Sequence, residues 1–204
     1  MINTIQAFRR LISGPTLEIH IEHFEALSVN ALYKSIGRGR MKLTDRGTAY
    51  HNDLKEHIAE ALMTTDFEVE QGLYRFYMVQ GKPTLVSNAF VKEAHRAIKQ
   101  NRPMRSTETK TKKDKKTGET VEYEAQVFTS LLSPWDADGP LKPTQDIVFG
   151  AIGVDDGSVI SSHTAKGLHP FPALHLIVEK VPKHEALHLL QVSEEVYDKW
   201  ISER

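Results

Sequence analysis

Two hydrophobic periods alternate along this chain. From Thr16 to Phe24 apolar and polar residues take strict turns, with Leu17, Ile19 and Ile21 on one side and Glu18, His20 and Glu22 on the other. That pattern predicts a strand with one buried face. Behind Thr44, a candidate N-cap, the period lengthens: Tyr50, Leu54, Ile58, Ala61 and Leu62 recur at helical spacing. A second strand is expected around Leu73 to Val79. Val121, Tyr123, Ala125 and Val127 then alternate, predicting a strand that runs toward Leu132 and delivers the chain to Asp136. A helix over Leu141 to Ile152, a turn at Asp155-Asp156 and a strand over Ala173 to Val181 follow. The last segment is an amphipathic tail carrying Leu187, Leu190, Val196, Trp200 and Ile201.

These elements predict an α/β (α+β) protein: a small mixed β-sheet flanked by helices, in a single domain spanning residues 1–204. Its core is expected over about 16–80 and 119–181, with a C-terminal helical tail over 182–204. Residues from about 81 to 118 have the composition of an insertion, a helix from Asn88 to Gln100 and then a lysine- and threonine-rich loop or hairpin tip. At 204 residues the chain can bury a substantial core. It has no cysteine, which excludes disulfides, a thiol nucleophile and cysteine-bound metal. No apolar run is long enough to span a membrane, and the N-terminal residues never build a secretory apolar stretch. A soluble cytoplasmic protein with no membrane partner is the expectation.

The net charge of −1 conceals local asymmetry. Lys34, Arg38, Arg40, Lys42 and Arg46 stand against Asp45 alone, and eight basic residues between Lys99 and Lys116 stand against Glu108 and Asp114. Such blocks can neutralise phosphates while the remaining surface stays acidic. Lysine runs are equally often only solvated loops.

Candidate chemistry concentrates between Asp136 and Asp156. Asp136 and Asp138 are two apart, so in extended chain their carboxylates point the same way. Lys142 and Asp146 are four apart on one helix face, the spacing of an ordinary surface ion pair as well. Asp155-Asp156 follow the helix stop at Gly153. Converging carboxylates disfavour one another's ionisation unless a cation compensates, and oxygen-only donors suit Mg²⁺ or Mn²⁺.

The run Asp136-Ala137-Asp138, Lys142, Asp146, then Asp155-Asp156 resembles the D-x-D-N-x-x-K-x-x-x-D and D-D signature of RusA-type Holliday-junction resolvases. Ser28-Val29-Asn30-Ala31-Leu32-Tyr33 is similar to that family's early S-x-N-x-x-Y segment, and Thr44-x-x-Gly47-x-x-Tyr50 to the opening of its first helix. Gly139 stands where the family usually has asparagine, and Trp135 where an arginine is common. The resemblance covers roughly residues 16–62 and 123–180. It implies that Asp136, Asp138 and Asp156 bind Mg²⁺ (with Mn²⁺ as substitute), that Asp155 lies beside them and that Lys142 is catalytic. It further implies a homodimer that nicks branched DNA, above all four-way junctions, in a bacterial or phage-infected cell. Asn30, Lys34, Arg38, Arg40, Lys42, Lys110, Lys112, Lys113, Lys115 and Lys116 are the candidate DNA contacts.

Two other functions stay open on the sequence. A DNA-binding accessory protein of the same fold would keep the basic loops and lack metal-dependent nicking. His184-Glu185-Ala186-Leu187-His188 matches H-E-x-x-H, the zinc-protease motif, but Gln191 and Glu194 break the extended pattern.

Overall fold

A computed structural model describes residues 1–37, 40–84, 86, 88–113, 120–127 and 139–203. The protein is α+β, and the chain divides into two compact units, Met1–Pro83 with Asp136–Arg204, and Thr84–Trp135. No helix among the described residues is long and apolar enough to cross a membrane.

The first unit is built on four strands, β1 (Thr16–Glu22), β4 (Tyr74–Lys82), β7 (Val159–Leu168) and β8 (Ala173–Lys180), in the order β1-β8-β4-β7. β8 is antiparallel to both its neighbours, while β4 and β7 are parallel. Alternation decides the two faces of this sheet. Leu17, Ile19 and Ile21 join Tyr74, Phe76, Met78, Leu174, Leu176 and Val178 on one side. Against them pack α3 (Asp45–Thr64), through Tyr50, Leu54 and Ile58, and α5 (Leu141–Ile152), through Ile147, Val148, Phe149 and Ile152. Phe149 meets Tyr74 and Phe76 edge-on, at centroid distances of 5.8 and 5.9 Å, an arrangement that suits the aromatic quadrupole.

The other face is covered by α1 (Ile2–Arg9), which the sequence pattern does not announce. Phe8 packs at 5.3 Å from Tyr77, and Tyr77 stacks on His163. Tyr77 donates to the fully buried Glu179, which also accepts from the backbone N–H groups of Ser13 and Gly14 and from the Ser13 hydroxyl. Arg75 Nη1 lies 3.5 Å away. A buried carboxylate is tolerated because so many donors surround it.

The family-like segments at residues 28–33 and 44–50 have local structural roles. Ser28 precedes the short α2 (Val29–Leu32), and a small hairpin follows, β2 (Tyr33–Ser35) with β3 (Met41–Leu43). Thr44 caps α3 by accepting from the Gly47 N–H at 2.9 Å, while its own N–H and hydroxyl donate to the carbonyls of Leu32 and Ala31. Tyr50 reaches α5, its hydroxyl 2.7 Å from Thr144 Oγ1.

The second unit departs from the expected organisation. It contains α4 (Asn88–Lys99), as predicted, and a hairpin of β5 (Thr107–Lys113) with β6 (Thr120–Gln126). The alternation of Val121, Tyr123 and Ala125 does make a strand. That strand pairs with β5 and is not part of the central sheet, so the inserted unit extends beyond the expected 81–118. Val121 and Tyr123 are 52% and 45% exposed, which shows that period 2 alone does not say which sheet receives a strand.

The C-terminal tail forms α6 (Lys183–Leu190) and α7 (Glu194–Ser202). Ala186 and Tyr197 are its buried anchors against Leu73 and Val181, with Leu187, Trp200 and Ile201 around them. Leu190 and Val196 are exposed, contrary to the expected stripe. A turn at Gln191 in the left-handed conformation breaks the phase between the two helices.

Gly47 gives a test of the α2–α3 junction. A Cβ there would lie 2.4 Å from the Leu32 carbonyl oxygen. Alanine would raise helix propensity by about 1 kcal/mol, but overlap with rigid backbone costs about 1–3 kcal/mol. Gly47→Ala should therefore lower the urea midpoint, and a variant as stable as the parent would show room at this junction.

Candidate functional site

α5 begins directly after Gly139-Pro140 and ends at Gly153. Seven of its twelve residues are buried, and those exposed are Lys142, Asp146 and Gly150, one stripe at four-residue spacing. After Gly153 the chain turns back through a 3₁₀ turn (Asp156–Ser158). Asp155 caps that turn, its Oδ1 accepting from the Gly157 N–H at 2.8 Å.

The turn brings Asp156 to Lys142. The Lys142 ammonium lies 2.6 Å from Asp156 Oδ2 and 2.7 Å from Asp146 Oδ1. It therefore links α5 to the returning chain and is more than the helix partner of Asp146. The hydrogen bond and charge of Lys142 hold the Asp156 carboxyl below the usual range. In return, the hydrogen bonds to Asp146 and then Asp156 raise the Lys142 ammonium. The Lys142 and Asp156 side chains are 60% and 53% exposed, so solvent screens the attraction and a ligand can reach both.

Asp136 and Asp138 lie outside the described residues, as do Arg38, Lys115 and Lys116. Asp146, Asp155 and Asp156 do not form a set of three with mutually close ligating atoms; among the described residues that property belongs to His20, Glu22 and His169. His20 and Glu22 sit two apart on the polar side of β1, a spacing visible in the sequence. His169 enters from the β7–β8 turn, 149 residues on from His20, and no local pattern could have announced it.

Of the basic candidates, Lys34 and Lys42 face each other across the β2–β3 hairpin, both exposed, with Arg40 exposed beside them and Asn30 exposed on α2. Lys110 and Lys112 share one face of the β5–β6 hairpin with Val121 and Tyr123, and Lys110 is paired with Glu108 at 2.8 Å. Lys113 falls on the opposite face. The returning strand carries Glu122 and Glu124, so the two strands together hold three lysines and three glutamates. Folding thus offsets the positive charge counted along the linear tract.

The H-E-x-x-H segment lies on α6, with His184 and His188 exposed. Glu185 is ion-paired with Arg75 and accepts from Ser13 at 2.6 Å, contacts that lower its carboxyl from the usual range. Its carboxylate is turned to the sheet and is no base for a metal-bound water. Among the described residues no third ligand joins the two histidines.

No protein-family model matches the chain, and no curated protein is significantly similar to it.

The Lys142–Asp156 pair can be titrated directly. With Lys142→Ala the Asp156 carboxyl should titrate at higher pH, followed by carbon NMR of the side-chain carboxyl. An unmoved midpoint would show that the ion pair does not persist in solution.

Proposed function

We propose that this protein is a metal-dependent, structure-selective endodeoxyribonuclease that nicks Holliday junctions or related branched DNA. The observation carrying this is Lys142, an exposed ammonium held between carboxylates of two chain segments. The helix that bears it is entered from the Asp136–Asp138 pair. The resemblance to RusA-type resolvases points the same way.

The donors in and beside this cluster are all carboxylate oxygens, which fits a hard divalent cation and disfavours one that prefers nitrogen or sulfur. Asp136, Asp138, Asp155 and Asp156 would hold Mg²⁺. Bound there, the ion would polarise the scissile phosphate and lower the pKa of a water toward neutrality. The chain's own contribution is positional. Asp146 holds Lys142 from its own helix, and Asp156 holds it from the returning turn, so the ammonium is fixed before substrate arrives. An oriented positive charge of this kind stabilises the extra negative charge of a pentacovalent phosphorus without reorganising first.

Binding would rest on the basic surface. Like charges directly opposite in a hairpin destabilise it, and Lys34 facing Lys42 is such a pair. A DNA phosphate between them would convert that repulsion into attraction. Lys110 and Lys112 beside the exposed Tyr123 supply a second surface on which charge and aromatic contact combine. A four-way junction has approximate two-fold symmetry and needs two symmetric nicks, so a homodimer with C₂ symmetry would present paired sites.

Single-turnover cleavage of a synthetic four-way junction, compared with linear duplex of the same sequence, tests this reading. Lys142→Ala should slow the chemical step about a hundredfold, about 3 kcal/mol of transition-state stabilisation, with junction binding little changed. Asp136→Asn should abolish nicking and leave binding intact or tighter. A Lys142→Ala rate within about threefold of the parent would remove Lys142 from the mechanism. Junction binding without nicking at any Mg²⁺ concentration would favour the accessory-protein function.

The hairpin has its own measurement. Replacing Lys34 and Lys42 together by alanine should reduce the slope of log K against log salt by about 0.9 for each phosphate that the protein no longer neutralises. An identical slope would leave these lysines as solvated surface.

A further inference from the structure

We propose that His20, Glu22 and His169 form a binding site for zinc on the sheet face opposite α3 and α5. One ligating atom from each of the three lies within 4.8 Å of the others. Strand alternation explains two of them: residues 20 and 22 of β1 point to the same side, away from the core. The third is delivered by the turn after β7, which passes close over β4 at Gly81. A Cβ at that glycine would stand 2.8 Å from the Cβ of His169 and 3.3 Å from that of Ala173. The sheet thus keeps a bare backbone position where His169 crosses.

His169 is also oriented as a ligand. Its Nδ1 lies 2.9 Å from the Phe171 carbonyl oxygen. A carbonyl only accepts, so Nδ1 is the donor in this contact and Nε2 is the ring atom left for a metal. Donation of the second ring N–H to a backbone carbonyl is the usual way a metal-binding histidine is held. The His169 ring further packs edge-on against Phe171, with centroids 4.5 Å apart.

A second, independent observation comes from β8. His175 pairs with His20 across β1–β8, the rings 5.5 Å apart, and it is only 6% exposed. Neither of its ring nitrogens has a hydrogen-bond partner. Glu18 Oε2 is 3.4 Å from Nε2 but out of hydrogen-bonding geometry, and Glu18 is committed to Arg9 through contacts of 3.1 and 2.6 Å. An unpartnered imidazole is costly to bury and calls for an explanation. His20, His169 and His175 all line one cleft of about 660 Å³. A water bound to the metal there would give His175 the donor it lacks.

Two imidazoles and one carboxylate select zinc over magnesium, because nitrogen donors suit a borderline-soft ion. Three protein ligands leave a fourth position open to water or to a small ligand from the cleft, unlike the closed four-ligand sites of purely structural zinc. The site is independent of the Lys142 cluster, so either can fail without the other.

Metal-stripped full-length protein titrated with Zn²⁺ against a chromophoric chelator is the test. About one equivalent should bind, and His20→Ala, an exposed position, should weaken binding more than about tenfold with far-ultraviolet circular dichroism unchanged. Co²⁺ loaded in place of zinc should give visible d–d absorption that Glu22→Gln and His169→Gln each abolish. His184→Ala/His188→Ala and Asp156→Asn should leave affinity and spectrum unaltered. Absence of zinc binding by the parent, unchanged affinity in His20→Ala, or loss of binding in either control would overturn the assignment.

Discussion

Burial of α5 on all but one stripe governs what this helix can present. The helix packs against both the sheet and α3, and even its polar residues inside are matched: Thr144 with Tyr50, and Gln145 with the Ser162 hydroxyl at 2.5 Å. A packed helix of this kind cannot rotate without exposing Ile147, Val148 or Phe149 and orphaning those hydrogen bonds. Its single exposed stripe is therefore fixed in azimuth, and Lys142 with it. What the returning 3₁₀ turn adds is a second carboxylate, so the ammonium meets acidic partners from two backbone segments. The placement of that stripe is a consequence of core packing.

Most of this was legible in the sequence because the core is regular. The Thr16–Phe24 alternation, the Tyr50–Leu54–Ile58 stripe behind Thr44 and the Leu141–Ile152 helix ending at Gly153 all fold as their patterns predict. These segments each meet solvent along one face or stripe only, and a single solvent boundary writes an unambiguous period. α1 and β7 escaped for the converse reason. β7 carries serines, threonine and lysine with few buried positions, since it is an edge strand whose side chains meet Gln145 or Tyr77 more than a dry core. α1 is short, and its one buried residue, Ile5, leaves almost no periodic signal.

The β6 strand illustrates a different limit. Alternation there is real, yet it serves a hairpin with exposed Val121 and Tyr123, and the partner strand rather than the core sets its register. Charge behaved similarly. A count along residues 99–116 sees mostly lysine, whereas pairing with β6 brings Glu122 and Glu124 alongside and confines Lys110 and Lys112 to the face that carries Tyr123. Electrostatic character belongs to surfaces, and a linear window can miss which face a charge occupies. The His20–Glu22–His169 group lies beyond sequence reasoning for the same reason, since only the β7–β8 turn brings its third member into range.

The two faces of the sheet differ in donor chemistry, and this has a physical consequence for metal selectivity. Beside α5 the available ligands are carboxylates, with a lysine competing for the same oxygens. A hard cation can share such oxygens with an ammonium because both are held by charge, and a strongly hydrated ion tolerates incomplete coordination by keeping its waters. Beside α1 the donors are two imidazoles and one carboxylate, with the Phe171 carbonyl behind His169 and the buried His175 alongside. Burial, which outweighs the Glu18 carboxylate, holds His175 below the usual imidazole range. Magnesium gains little from imidazole nitrogen, and zinc that occupied the carboxylate cluster would meet the Lys142 charge without a nitrogen donor in return. The fold keeps these two donor sets on opposite faces of the sheet, so a hard cation and a borderline one would each meet its own kind of ligand.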